Sequence, residues 1–420
     1  MRIMLAGTGS GCGKTTLALA LMAALRGRGM TVAPYKAGPD YIDPGFHWLA
    51  CGRVSHNLDE WLCGPEGIRR LLALGEGADI SVVEGAMGFY DGLDGGDDCS
   101  AYALARHTGT PAVLVVDASG SAASAAAAAL GFLKYRPDHT VAGALVNRVS
   151  GERHYALVKE AMERIGLPCV GWLPKDAGLS MPDRHLGLVP VEERPEVKGQ
   201  IQRAASLLHI DMEALRRVAS LAGEPDAPSF EYPQTLAGRR IGLAKDAAFS
   251  FTYAANLVAL RRMGAELAEF SPLADGALPE GLDALYLPGG FPEVFEAELR
   301  ANAPMAAAVR AAVEGGMRVY AECGGMLYLS MIGALPLEWE MTGRLQRFGY
   351  VTAADGDGYE FPAHEFHHSV VTPTRPLETR FEIRKGERRY REGYMYKNTL
   401  AGYPHIHFFD RPELAERLFL

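Results

Sequence analysis

The stretch Gly7-Thr-Gly-Ser-Gly-Cys-Gly13-Lys14-Thr15-Thr16 constrains this chain more than any other. It follows the apolar run Ile3–Ala6 and precedes Thr15–Arg28, which has helical periodicity, so it is a glycine loop joining a strand to a helix. In such a loop, closely spaced glycines let backbone N–H groups converge on phosphate oxygens. The lysine neutralises charge, and the hydroxyl after it ligates Mg²⁺. Gly11, Gly13, Lys14, Thr15 and Thr16 are therefore candidate nucleotide-binding residues, with ATP and Mg²⁺ the expected ligands.

What surrounds the loop extends the same architecture. Candidate strands Val32–Lys36, Ile80–Glu84, Ala112–Asp117, Val141–Asn147 and Cys169–Leu173 alternate with helical stretches such as Glu152–Ile165. Near-continuous apolar strands alternating with helices predict a mostly parallel sheet covered on both faces. A further helical stretch, about Pro195–Leu221, closes this half. Gly223–Gln234 is rich in proline and polar residues without periodicity, and reads as a linker. The alternation then restarts with strand Arg240–Ala244, helix Ala254–Met263, strands Glu266–Phe270 and Ala284–Leu287, helix Ala303–Glu314 and strand Arg318–Glu322. The last seventy residues or so are more β-rich. The expected organisation is thus two α/β domains, 1–222 and 238–420, joined by 223–237; 420 residues are too many for one typical core.

Composition narrows the class of partner. A net charge of −9, with 22% charged and 48% hydrophobic residues, describes an ordinary globular protein without the basic face nucleic acid would want. The alanine run Ala122–Ala129 extends to Leu133 before Lys134, well short of the roughly 20 residues needed to cross a bilayer. No membrane segment is expected. The opening apolar run is too short for a secretion signal and ends in the glycine loop. Cys12, Cys51, Cys63, Cys99, Cys169 and Cys323 are scattered, without metal-type pairing, which suits free thiols in a reducing cytoplasm.

Carboxylates collect at the predicted ligand-binding edge. Lys36-Ala-Gly-Pro-Asp40-Tyr-Ile-Asp43-Pro follows the second strand, where a parallel sheet presents its crevice. Val82-Val-Glu84-Gly-Ala-Met-Gly-Phe-Tyr-Asp91-Gly ends the third predicted strand at the same edge. Glu84 is a Mg²⁺-ligand candidate, since magnesium takes one or two carboxylates beside phosphate oxygens and water; a solvated loop acid or helix cap is the rival reading. Asn147 is placed to meet an adenine edge, with a structural turn asparagine as its rival. The glycine expected five residues before Gly13 falls on Thr8, so Gly7 begins a loop one residue longer than usual. That longer form resembles the dethiobiotin synthetase group of ATP-dependent ligases.

The other half carries a different chemistry. Strand Val319–Glu322, a turn at Cys323 and helix-forming Met326–Ser330 present a thiol where a helix N-terminus and a histidine could stabilise its thiolate. Gly324 and Gly325 permit the tight turn. Leu287-Pro-Gly-Gly290-Phe could offer backbone N–H groups as an oxyanion hole. A buried small hydrophobe is the rival reading for a lone cysteine.

Together these segments resemble the cobyrinate a,c-diamide synthase family, corrin-ring amidases with a synthetase domain and a class I glutamine amidotransferase domain. The matching pieces, in order, are the glycine loop, Lys36–Pro44, Val83–Gly92, Arg184-His-Leu-Gly-Leu188, Leu287–Glu293, Ala321–Met326 and His364-Glu-Phe-His367. The resemblance implies a dethiobiotin-synthetase-like P-loop domain followed by a flavodoxin-like amidotransferase domain. It implies a carbon–nitrogen ligase that amidates the a and c carboxylates of cobyrinate for cobalamin, with Cys323 attacking glutamine and His405 as base. Asp40, Glu84 and Asp91 would lie around ATP, metal and substrate carboxylate: Thr15, Glu84 and Asp40 on Mg²⁺, Asp40 and Asp91 in catalysis. The same chemistry on nickel-sirohydrochlorin or hydrogenobyrinate is the alternative, and a homodimer is an open option. Class I amidotransferases usually carry a glutamate two residues after the histidine; here that position is His407, so a Cys–His pair is expected. His364, His367 and His368 would touch the macrocycle or a domain interface, or serve a structural β-hairpin.

Overall fold

The computed structural model describes residues 1–179, 195–224 and 226–420. The chain forms two compact units, the first holding the described residues up to Ser229 and the second Phe230–Leu420.

Unit one runs β1 (Arg2–Gly7), α1 (Lys14–Gly27), β2 (Val32–Ala37), α2 (Asp43–Cys51), β3 (His56–Leu58), α3 (Glu60–Ala73) and β4 (Ile80–Glu84). It continues through α4 (Ala101–His107), β5 (Ala112–Asp117), α5 (Ala123–Tyr135), β6 (Val141–Val149), α6 (Glu152–Arg164) and β7 (Cys169–Pro174). After the undescribed stretch come α7 (Pro195–Leu207), β8 (His209–Ile210) and α8 (Met212–Ala219). The described strands form one sheet in the order β3-β2-β4-β1-β5-β6-β7-β8, parallel except where β8 runs against β7. β1 and β2 are buried at every position, as strands covered on both faces must be. The glycine loop leaves β1 between β4 and β5, which puts Glu84 and Asp117 at the same sheet edge.

Two sequence expectations change here. Glu84 ends the fourth strand rather than the third, because His56–Leu58 forms a three-residue strand beside β2, too short to show a pattern. The single helix expected over about Pro195–Leu221 is broken: His209 and Ile210 pair with Trp172 and Gly171, and the Asp211 side chain accepts from Ala214 N–H at 2.9 Å to start α8. The His209 ring lies flat on Trp172, centroids 4.0 Å apart, so packing on β7 overrides helix continuation. The Arg184–Leu188 motif lies outside the described residues.

Unit two begins with β9 (Arg240–Ala244), α9 (Ala254–Arg262), β10 (Glu266–Phe270), β11 (Ala284–Leu287), α10 (Glu296–Ala301), α11 (Ala303–Glu314), β12 (Arg318–Glu322) and α12 (Gly324–Met331). Then come β13 (Leu337–Met341), β14 (Arg347–Ala354), β15 (Glu360–His367), β16 (Ser369–Pro373), β17 (Glu378–Lys385), β18 (Arg388–Tyr396), β19 (Thr399–Gly402), β20 (His405–Ile406) and α13 (Pro412–Phe419). The larger sheet has the order β10-β9-β11-β12-β19-β18-β17-β14-β15-β20. From β10 to β19 it is parallel; from β19 to β20 it is antiparallel. Although β20 is the last strand in that order, Ile406 N–H donates to Glu322 at the end of β12 at 3.1 Å. The antiparallel part therefore rolls round until its final strand meets the parallel part, bringing His405 beside the end of β12.

Candidate active sites

At the glycine loop the backbone enters α1 through Gly13 in the left-handed region, φ 95°. A Cβ there would lie 2.2 Å from Asn147 Nδ2, so only glycine lets the loop rest on that side chain. Asn147 is buried; its Nδ2 donates to Cys12 O at 2.9 Å and its Oδ1 accepts from Arg148 N–H at 2.9 Å. The structure thus shows Asn147 supporting the glycine loop from beneath. Lys14 Nζ donates to Gly9 O at 3.1 Å, folded back over the loop it would share with phosphate. Gly11 and Thr16 sit on the loop and in the first turn of α1.

Beside Lys14, three side chains converge on Glu84, which is fully buried. Thr15 Oγ1 donates to its Oε1 at 2.6 Å, Lys36 Nζ lies 3.1 Å from the same oxygen, and His47 Nε2 meets Oε2 at 2.8 Å. Lys36 also pairs with Asp43 at 2.7 Å, and His47 Nδ1 with Ser55 Oγ at 2.9 Å. Burial alone would raise Glu84, but Lys36 and then His47 outweigh it and hold the carboxyl well below its ordinary range. Burial would likewise lower Lys36; Asp43, then Glu84 and Asp40, keep it firmly protonated. Thr15 and Glu84 form a hard-oxygen pair of the kind Mg²⁺ takes with phosphate and water, so these residues fit that ion. Asp40 is committed elsewhere through Oδ1, which accepts from Ile42 and Asp43 N–H at 2.8 and 3.0 Å and starts α2. Asp91 Oδ2 accepts from Gly88 N–H at 2.9 Å, closing the loop after β4.

The second site is built on Cys323, whose φ of 45° and ψ of −103° are rare for a residue with a Cβ. Its N–H donates to Gly402 O at 2.7 Å, tying the turn to the end of β19, and α12 begins with the next residue. The glycine pair after β11 backs both partners: a Cβ on Gly289 would sit 2.5 Å from His405 Cε1, and one on Gly324 would sit 2.9 Å from Gly290 N. Thiol turn, histidine and a candidate oxyanion N–H thus share one small neighbourhood. Cys323, His405 and Glu322 are all buried. Burial pushes the thiol up, with Glu293 adding to it, and lowers His405 to about 3, with His364 and His367 contributing. Glu322 is pushed up to about 7 by burial, although Tyr320, Ile406 N–H and Tyr286 bond its charged form.

The other histidines have defined surroundings. The His367 ring stacks on Tyr403 with centroids 3.5 Å apart, and its Nδ1–H donates to Ser369 O at 2.8 Å. His364 stands opposite His405 in the β15–β20 pairing. His407, where a glutamate is usual, packs against Tyr253 at 5.0 Å between centroids. Among the described residues no group of three or more His, Cys, Asp or Glu could hold a metal ion, and no helix is long and apolar enough to cross a membrane.

Comparison with known proteins gives the two centres a common setting. Residues 3–189 match a CobQ/CobB/MinD/ParA nucleotide binding domain, and residues 240–413 a CobB/CobQ-like glutamine amidotransferase domain. Cobyrinate a,c-diamide synthase of Listeria innocua is 40% identical over 100% of this chain and 98% of that protein. The chain belongs to the cobyrinate a,c-diamide synthase family. The protein of that name from Salmonella typhimurium is 38% identical over 98% of this chain and 96% of its own length. Hydrogenobyrinate a,c-diamide synthase of Streptomyces coelicolor is 40% identical over 99% and 96%. As a member of this family, the chain is an ATP-using, glutamine-dependent amidating ligase. Its P-loop and amidotransferase folds are those the sequence led us to expect. Sequence reasoning gave no role to Lys36, His47 or Glu322. Lys36 ends a strand at the Glu84 edge and was legible in principle; a histidine inside α2 and a glutamate ending a buried strand carry no such signal.

Proposed function

We propose that this protein amidates the a and c carboxylates of cobyrinate in cobalamin biosynthesis, one after the other. Full-length likeness to cobyrinate a,c-diamide synthases is the observation that carries this reading. The equal likeness to the hydrogenobyrinate enzyme supports the metal-free ring as a second substrate reading. A carboxylate is a poor electrophile at neutral pH, so its oxygen first attacks the γ-phosphorus of ATP, releasing ADP and leaving an acyl phosphate. The N–H groups of the loop around Gly11 and Gly13, with Lys14 and Thr16, receive the triphosphate, and Lys36 adds a second fixed cation. Thr15 and Glu84 would hold Mg²⁺, which screens phosphate charge when bound. Asp40, through its remaining oxygen, would join Thr15 and Glu84 around Mg²⁺, and Asp40 and Asp91 would act beside the substrate carboxylate.

At the other centre, His405 takes the Cys323 proton and the thiolate attacks the glutamine side-chain carbonyl. Ammonia leaves with a proton returned by His405, and water then hydrolyses the thioester to glutamate. Ammonia attacks the acyl phosphate, phosphate leaves, and the amide remains. Small molecules are the expected partners; a cytoplasmic setting suits the six free thiols, and a homodimer fits this reading equally.

The test is amidation by the purified protein of cobyrinate, hydrogenobyrinate and nickel-sirohydrochlorin with Mg·ATP and glutamine, followed by mass. Two successive amide products from cobyrinate are expected; product from nickel-sirohydrochlorin alone overturns the assignment. Cys323→Ala should abolish the use of glutamine while activity with ammonium salts survives.

A further inference from the structure

Class I amidotransferases usually carry a glutamate two residues after the histidine; here His407 holds that position and packs against Tyr253. A different carboxylate is nearby. Glu322, the residue immediately before the nucleophile, ends β12 with Oε2 3.8 Å from His405 Nδ1, both side chains 2% exposed. Its orientation is set by three donors: Tyr320 O–H to Oε1 at 2.6 Å, Ile406 N–H to Oε1 at 3.1 Å, and Tyr286 O–H to Oε2 at 3.0 Å. One of them, Ile406, is the neighbour of His405 itself, so the contact that aims the carboxylate also fixes the strand carrying the base. These bonds leave acceptor capacity on Oε2, the oxygen nearest the imidazole.

We infer that Glu322 is the positioning residue for His405, a third member of the amidase centre supplied from the strand before the thiol rather than from the position after the histidine. A carboxylate at Nδ1 selects the tautomer whose Nε2 can take the Cys323 proton, and it stabilises the imidazolium once the thiolate forms. The 3.8 Å separation exceeds a hydrogen bond, and closure by under an ångström makes one; unliganded catalytic contacts are commonly this long. Burial opposes a lone charge on either group, so the glutamate and histidine hold one proton between them until the thiol releases its own. Titratable groups facing this pair include Tyr286, Tyr320, Cys323, His364 and His367, with Glu293 and Glu365 acting on the thiol.

The inference rests on Cys323 being the glutamine-cleaving thiol, and the test separates the two. In wild type, Glu322→Gln, Glu322→Asp and His407→Gln, one measures glutamine-dependent amidation, ammonia-dependent amidation and the pH profile of Cys323 alkylation by iodoacetamide. Glu322→Gln should lower glutamine-dependent kcat roughly 10²-fold, leave KM for glutamine and the ammonia reaction unchanged, and move the alkylation profile to higher pH. Asp at 322 should recover part of both effects, and His407→Gln should move neither. A wild-type profile in Glu322→Gln, or a shift caused by His407→Gln instead, overturns the inference. If Glu322→Gln fails to fold, a wild-type profile in Glu322→Asp also overturns it. In unmutated enzyme labelled with ¹⁵N-histidine and alkylated at Cys323, a strongly downfield His405 Nδ1–H signal is expected, and its absence counts equally against Glu322. Glutamine use surviving in Cys323→Ala would instead sink the thiol assignment.

Discussion

The two centres bury ionisable groups to the same depth and reach opposite electrostatic states. Around Glu84, pairing defeats burial: Lys36 and Glu84 stay charged because each has an opposite partner within about 3 Å. Around Cys323, burial defeats pairing, and thiol, histidine and glutamate are all driven toward their neutral forms. The difference matches the two chemistries. A centre that receives triphosphate needs fixed charge standing ready before the substrate arrives. A centre that cleaves an amide needs a proton that can leave the thiol and return to the departing ammonia, which groups resting in their neutral forms allow.

The comparison breaks most visibly at Lys36. Replacing it with methionine leaves Glu84 and Asp43 without their shared cation, and unit one should lose about 3–5 kcal/mol in denaturant titration. Glu84 would then be easier to protonate, because His47 and Thr15 alone would oppose its burial. In the parent, Glu84 is held below its unfolded pKa of about 4.5, so its contribution is present above that value and lost only as pH falls beneath it. A loss under 1 kcal/mol would show that the charges in unit one are not mutually dependent.

Unit two allows the opposite experiment. Glu392, 4% exposed on β18, is raised to about 7 by burial despite bonds from Gly393 and Tyr403 N–H. Its folded pKa exceeds the unfolded one, so its favourable contribution is full below 4.5 and vanishes as pH rises through 7. Glu392→Gln keeps an acceptor and removes the charge. It should match the parent near pH 4.5 and exceed it by about 1–3 kcal/mol above pH 7, read from unfolding midpoints. Equal stability at both pH values would mean that Glu392 is charged without cost, as Glu84 is.

A smaller effect sharpens the picture of the thiol turn. Cys323→Gly removes the Cβ from a backbone held at φ 45°, whereas Cys323→Ala retains it. The glycine variant should be the more stable by about 1–2 kcal/mol, although both lack the sulfur. Equal midpoints would show that the turn stores no strain.

How much of this was legible in the sequence follows the same divide. The edges of β4, β5, β9, β10, β11 and β12 could be placed to the residue, because short strands alternate with helical stretches there; β4, β5 and β12 are largely apolar runs that end in an acid at the ligand edge. The glycine loop and Cys323 stood out for the same local reason. What escaped depends on contacts between distant segments. That Asn147 supports the glycine loop at Gly13 shows only once β6 is placed beside it. Glu322 reads as the end of a buried strand until the roll of the antiparallel sheet brings Ile406 and His405 to it. No periodicity encodes such a meeting.

The rolled sheet also has a meaning for biosynthesis of the molecule itself. Cys323 leaves the ribosome before β13 to β20 exist, and the base that ionises it is not delivered until β20 has closed against β12. A nascent chain therefore carries a thiol with no base beside it, and glutamine cleavage cannot begin until the last strand has been made.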